Sequence, residues 1–228
     1  MRRTGPRGAQ TSSNSFQTKN NETDKFLRVV YPAGKYGAGG SGTQWQRTTR
    51  PMEAAYVGYY VRFVGDFDFV RGGKLPGLAG GEANTGGGAP TGTDGWSARM
   101  MWREGGCAVF YLYHPDQPGE FGEDIAWGVP FERDRWHFVE HLIVMNEPGE
   151  NDGVMLGWLD GQLVSDRRDI RFRDVADLAI DMLYISTFFG GGSDSWAPDD
   201  DEFTEFDQFT VAEVDIGTLE TLGVNVAD

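Results

Sequence analysis

Apolar and polar residues alternate with a period of two through most of this chain, which predicts strands rather than helices. The stretches "KFLRVVYPAG", "AAYVGYYVRFVGDFDFV", "GWSARMMWR", "CAVFYLYH", "RWHFVEHLIVMN" and "GVMLGWLDGQLV" are rich in aromatic and β-branched residues and are bounded by Gly, Pro, Asp or Asn. Gly65-Asp66 reads as a bulge in the second of them, Glu104-Gly105-Gly106 as the loop of a hairpin, and Asp160-Gly161 as a tight reversal. A single short helical turn is predicted around 174–179, followed by one more strand, an acidic loop in "SDSWAPDDDEFTEFD" and a last strand. Three glycine-rich stretches read as loops: "KYGAGGSGTQW", "RGGKLPGLAGG", which holds Lys74, and the polar flap "GGEANTGGGAPTGTDG". The pattern predicts an all-β chain: a polar, unstructured lead over residues 1–25, then one sandwich of antiparallel sheets over residues 26–228.

Composition agrees, with 33 glycines and 13% aromatic residues among 228. Charge narrows the partners. Acidic residues number 35 against 20 basic ones, a formal net charge of -15, and only four of the basic residues are lysines. No basic run follows residue 7, which argues against nucleic acid as a partner, and the surplus of carboxylates suggests a surface suited to high salt. No stretch approaches the roughly 18 apolar residues of a membrane span, and the N-terminus has no apolar core of a signal peptide. Cys107 stands alone, so no intrachain disulfide forms; it is expected to be a half-buried thiol.

The hairpin around 104–106 organises the candidate chemistry. Alternation puts Trp96, Ala98, Met100 and Trp102 on one face with Ala108, Phe110 and Leu112, a core face. On the other face Arg99 falls opposite Tyr111, Ser97 opposite Tyr113, and Arg103 opposite Cys107. A guanidinium, a hydroxyl and two phenols then share one patch. Tyrosines decorating a half-exposed sheet, with Arg99 stacked on them, would explain the same pattern without any chemistry. These groups do suit a 4-linked uronic acid, whose C5 hydrogen lies beside a carboxylate and whose C4 oxygen is the leaving group. A lyase must neutralise that carboxylate and supply a base and an acid. Arginine is a fixed fork for carboxylate. A phenol near Arg and Lys is expected to have a lowered pKa and to serve as base.

"GGKLPGLAGG", "GWSARMMWR", "YLYH", "WHFVEHLIVMN", "GWLDGQLV" and "STFFGGGSDSWAPDDDEFTEFDQF", in this order and spacing, resemble the family-14 polysaccharide lyases and, more distantly, the glucuronan lyases of family 20. The resemblance covers residues 27 to 212. It implies a β-jelly roll whose concave sheet forms a cleft for a polyuronate such as alginate or glucuronan, cut by metal-independent β-elimination. It also implies a site built from Lys74, Ser97, Arg99, Tyr111 and Tyr113. Tyr111 or Tyr113 would act as base and acid, Lys74 would stabilise phenolate or enolate, and Arg99 with Ser97 would bind carboxylate and hydroxyl. Arg103, Glu140 and His141 are expected to contact substrate. The expected partner is an acidic polysaccharide or oligosaccharide, met as a secreted monomer, with no nucleic acid, membrane or cofactor involved. The alternative is a carbohydrate-binding jelly roll without turnover.

Two metal readings weigh less. His137 and His141 share a strand face but have no evident third ligand, and Asp199, Asp200, Asp201 and Asp207 lack the spacing of a calcium loop. Nor do Glu202 and Glu205 form the carboxylate pair of a glycosidase.

Overall fold

A computed structural model describes residues 16–21, 24–214 and 222–224. Among them thirteen strands follow one another: β1 (Phe16–Asn21), β2 (Asp24–Tyr31), β3 (Thr43–Met52), β4 (Ala54–Phe63), β5 (Gly72–Gly81), β6 (Gly95–Arg103), β7 (Cys107–Tyr113), β8 (Glu123–Pro130), β9 (Trp136–Val144), β10 (Gly153–Leu159), β11 (Gln162–Ile170), β12 (Ile180–Phe189) and β13 (Glu202–Glu213). They form a seven-stranded sheet in the order β1-β2-β13-β4-β9-β10-β11 and a six-stranded sheet in the order β3-β12-β5-β6-β7-β8. Every strand pairing within the two sheets is antiparallel. From β2 to β5 the chain crosses from one sheet to the other at each step, and it crosses back from β12 to β13. The result is a jelly-roll sandwich.

Alternation decides which side chains enter the core. Val57, Tyr59, Val61 and Phe63 of β4 face Trp96, Ala98, Met100 and Trp102 of β6 across the sandwich, with Phe110 and Leu112 beside them. At one end Phe63, Phe67, Phe69, Trp102 and Phe189 pack ring to ring at 4.9–5.6 Å between centroids.

Several sequence expectations are corrected. "GGKLPGLAGG" is no loop but β5, a buried strand in the middle of the six-stranded sheet. Its glycines serve close packing: a Cβ on Gly73 would lie 2.1 Å from the Trp102 ring, and one on Gly77 2.1 Å from the Ala98 carbonyl oxygen. A register shift between Leu75 and Gly77 accommodates Pro76. Strand β1 falls inside the expected lead and pairs with β2, while residues 1–15 lie outside the described part. The polar strand β3 and the Gly-interrupted β8 were not anticipated. Gly65-Asp66 is a turn after β4, residues 174–177 form bends and a turn rather than a helix, and Cys107 is exposed at the start of β7.

Candidate active site

The outer face of the six-stranded sheet carries a cavity of about 580 Å³, lined among others by Gln44, Lys74, Arg99, Arg103, Tyr111, Tyr113, Phe121 and Trp196. The register within it is the one the hairpin predicts, Arg99 opposite Tyr111 and Ser97 opposite Tyr113. Strand β5 adds Lys74 opposite Met101, and β12 adds Tyr184 and Ser186 on the far side of β5. Gly77 lies between Tyr184 and Arg99 in the register. With no side chain between them, the Arg99 guanidinium sits 5.0 Å from the Tyr184 ring centroid and 5.8 Å from that of Tyr111.

Arg99 is 2% exposed. Its Nη1 donates to Ser186 Oγ at 3.1 Å, and Ser186 donates in turn to Gln44 Oε1 at 3.2 Å. Its Nε has no partner, and no carboxylate pairs with it among the described residues. Burial lowers its pKa from the ordinary guanidinium value while Tyr184, Tyr113 and Tyr111 act the other way. An arginine stays cationic in a protein, so this is a buried positive charge lacking a counterion.

Lys74, 8% exposed, places Nζ 2.8 Å from Met101 Sδ and 3.3 Å from the centroid of the Tyr111 ring. Burial, reinforced by Arg99 and Arg103 and opposed by Asp124, holds its amine well below the usual lysine pKa. Tyr111 shifts the other way. Burial and the Tyr113 hydroxyl 3.4 Å away raise its pKa more than Arg99 and Arg103 lower it. That reverses the expected lowering at Tyr111, because desolvation outweighs the nearby cations. The Tyr113 hydroxyl also accepts from the Gly87 backbone N–H at 3.5 Å.

The other expected residues divide. Arg103 lines the cavity, grips Asp124 through Nε at 2.7 Å and Nη2 at 2.5 Å, and lies over the rings of Tyr111 and Trp196. Ser97 is fully buried and donates to the Asn84 carbonyl at 2.7 Å, so it ties down the glycine-rich flap rather than opening to the cavity. Glu140 and His141 stand on β9 in the other sheet, away from this face. His141 points into the core and stacks on Phe110 at 5.4 Å, and Glu140 faces outward from its sheet. One residue of register separates them, so they occupy opposite faces. Sequence reading missed Met101, Tyr184, Ser186, Gln44 and Trp196. Alternation along β12 carried the signal for Tyr184 and Ser186; Gln44 lay in the unanticipated β3.

Among the described residues no three His, Cys, Asp or Glu side chains are grouped to hold a metal. His137 instead bonds Asp160 at 2.9 Å and the Glu132 backbone N–H at 2.8 Å, and Asp201 accepts from the Ala33 N–H at 2.8 Å.

The family model for polysaccharide lyase 14 matches residues 19–209, most of the chain. The chain belongs to polysaccharide lyase family 14. The fold of this lyase also occurs in solved structures. A variant of the alginate lyase Aly36B, with a lysine and a tyrosine replaced by alanine and bound to alginate tetrasaccharide, aligns at a TM-score of 0.75 and 26% identity, over 83% of this chain and 81% of that one. The marine PL-14 alginate lyase from Aplysia kurodai aligns at a TM-score of 0.74 and 26% identity, over 88% and 87%. The endo-β-1,4-glucuronan lyase from Trichoderma reesei shares the fold at a TM-score of 0.57 and 14% identity, over 91% and 93%. No curated protein matches the sequence.

Proposed function

We propose that this polysaccharide lyase cleaves a 4-linked polyuronate by β-elimination, with Lys74 as the base, the Tyr111–Tyr113 pair as the acid and Arg99 as the carboxylate-binding group. One observation carries it: Arg99 is a buried guanidinium with a free Nε and no carboxylate partner among the described residues, beside an amine whose pKa burial depresses. A uronate carboxylate is the anion such a site lacks.

Proton bookkeeping then follows from the shifts. A neutral Lys74 amine takes the C5 proton, the freed electron pair becomes the C4–C5 double bond, and the C4–O bond breaks. The leaving oxygen takes a phenolic proton and becomes the reducing end of the departing chain. Lys74 ammonium then gives its proton to solvent and the phenolate takes one from solvent, which restores both groups. Arg99 neutralises the charge that develops on the carboxylate. Base and acid are thus separate groups, unlike the single tyrosine expected from sequence. Neither step draws on a cofactor.

Mannuronate-rich alginate is the first substrate to test, because both relatives at 26% identity are alginate lyases. Glucuronan, whose C5 hydrogen and C4 oxygen also share one side of the ring, is the second. We propose in addition that the protein meets this polymer as a secreted monomer. At a formal net charge of -15 the protein repels a polyanion at long range, so activity is expected to rise with added salt before it falls.

The deciding experiment follows the ultraviolet absorbance of 4,5-unsaturated uronide for wild type and Lys74→Ala on both polymers. A rise with wild type that the variant lacks by roughly a thousandfold supports the assignment. Binding without any product would make the cleft a carbohydrate-binding module instead.

A further inference from the structure

We infer that Met101 is the positioning residue for Lys74, a neutral acceptor that aims the lysine's lone pair into the cleft. This rests on the reading of Lys74 as base. Met101 is fully buried, yet it does not belong to the core between the sheets. It sits on the catalytic face of β6, between Arg99 and Arg103, in a small cluster with Val109, Tyr111 and Tyr113 over which Trp196 packs. Gly190 leaves room for its methyl group: a Cβ there would lie 3.3 Å from Met101 Cε.

A neutral primary amine has two N–H donors and one lone pair, disposed tetrahedrally about nitrogen with the bond to Cε. Two acceptors meet Lys74 Nζ: Met101 Sδ at 2.8 Å and the face of the Tyr111 ring at 3.3 Å. Each takes one N–H, since a thioether and an aromatic face both accept weakly. The remaining tetrahedral direction, with the lone pair, is left for the cavity that Lys74 lines. The identity of the residue matters as much as its place. A carboxylate at position 101 would hold the amine as ammonium and abolish the base, whereas a leucine would leave one N–H without an acceptor and let the amine rotate. A thioether accepts the hydrogen bond without supplying a charge.

Other titratable or charged groups facing Lys74 are Arg99 and Arg103 on β6, Tyr111 and Tyr113 on β7 and Asp124 on β8, while β12 sets the uncharged Phe188 opposite it. The carboxylate among them, Asp124, is already held in a two-pronged pair by Arg103.

Two substitutions test the assignment. Met101→Leu keeps the volume and removes the acceptor; Met101→Glu supplies a charged one. Activity is measured across pH. In parallel the Lys74 amine is titrated directly by 13C NMR of protein labelled at lysine, which is tractable with four lysines in the chain and a Lys74→Arg control to assign the signal. Met101→Leu is expected to lower kcat by about tenfold to a hundredfold at unchanged KM, as misaligned groups do. It should also move both the acid limb of the kcat profile and the Lys74 titration to lower pH, because a sulfur acceptor favours the ammonium form. Met101→Glu should move both to higher pH. Wild-type kcat and an unmoved Lys74 titration in Met101→Leu would overturn the inference. Should wild type release no unsaturated product from any polyuronate, the base assignment fails, and the NMR titration still decides whether Met101 holds the amine.

Discussion

Both sheets of this sandwich hold buried charge on their outer faces, and they treat it in opposite ways. On the seven-stranded sheet Glu205 is wholly buried, and Arg28 and Arg62 clasp it from the strands on either side, each Nε lying 2.8 Å from a carboxylate oxygen. Arg62 also stacks over Trp136, and Arg28 over Phe203. Each charged group in that triad has an oppositely charged partner within the protein. On the six-stranded sheet Arg99 and Lys74 are also buried, but the groups they touch are a hydroxyl, a thioether and aromatic faces, and the carboxylate near Lys74, Asp124, is already paired with Arg103. A satisfied buried charge holds a structure together, whereas an unsatisfied one is held at a cost in stability and marks a place where a ligand completes the set.

The contrast can be broken most decisively at Arg99. Replacing it by Leu should cut turnover about a thousandfold, the scale of losing a group that stabilises transition-state charge. It should leave thermal stability unchanged or raised, since an unpaired buried cation disappears; a large loss of stability would make Arg99 a structural residue like those of the triad. At Glu205 the opposite division is expected. Glu205→Gln leaves two guanidiniums facing a neutral amide and should destabilise the fold by about 3 kcal/mol, measured by denaturant unfolding, with unaltered kcat in the folded fraction.

A third test concerns a neutral buried group. His141 has both ring nitrogens unpartnered in the core, and burial alone lowers its pKa from the usual 6.5 to about 3. With the folded value below the unfolded one, the unfolded chain binds the proton first as pH falls. The stabilisation is therefore full above pH 6.5 and is lost progressively down to about pH 3. Unfolding at pH 6.5 and 4.5 should differ by about 2 kcal/mol from this residue, and His141→Phe should remove that part of the acid sensitivity. The smallest effect belongs to Ser97. Ser97→Ala gives up one hydrogen bond to Asn84 and should cost about 1 kcal/mol. A loss of activity out of proportion to that, at full folding, would return Ser97 to the list of substrate contacts.

How legible the site was depended on the range of the interaction. Arg99, Tyr111, Ser97 and Tyr113 fell into register because a hairpin with a three-residue loop leaves little freedom in pairing, and successive positions of a strand alternate faces by backbone geometry alone. Glu140 and His141 were expected at the substrate from the family resemblance alone, and the structure sets both on β9 of the other sheet, a pairing across the sandwich that local periodicity does not carry. The lowered phenol pKa failed for a related reason: residue types announce the nearby cations, while the depth of burial that outweighs them is a property of the packed molecule.

By itself the sequence determined the all-β class, the hairpin register, the core face of β6 and β7, and the residue types of a polyuronate site. All of these follow from local periodicity or from motifs close along the chain. Only the tertiary structure decided that "GGKLPGLAGG" is a central strand, because glycine and proline signal a loop unless neighbouring strands press so closely that no side chain fits. It also decided that Lys74 meets Met101 and Tyr111 and that Arg99 meets Ser186 but no carboxylate. Those contacts join strands up to 87 residues apart, and the charge state of each group depends on water being excluded from all of them at once.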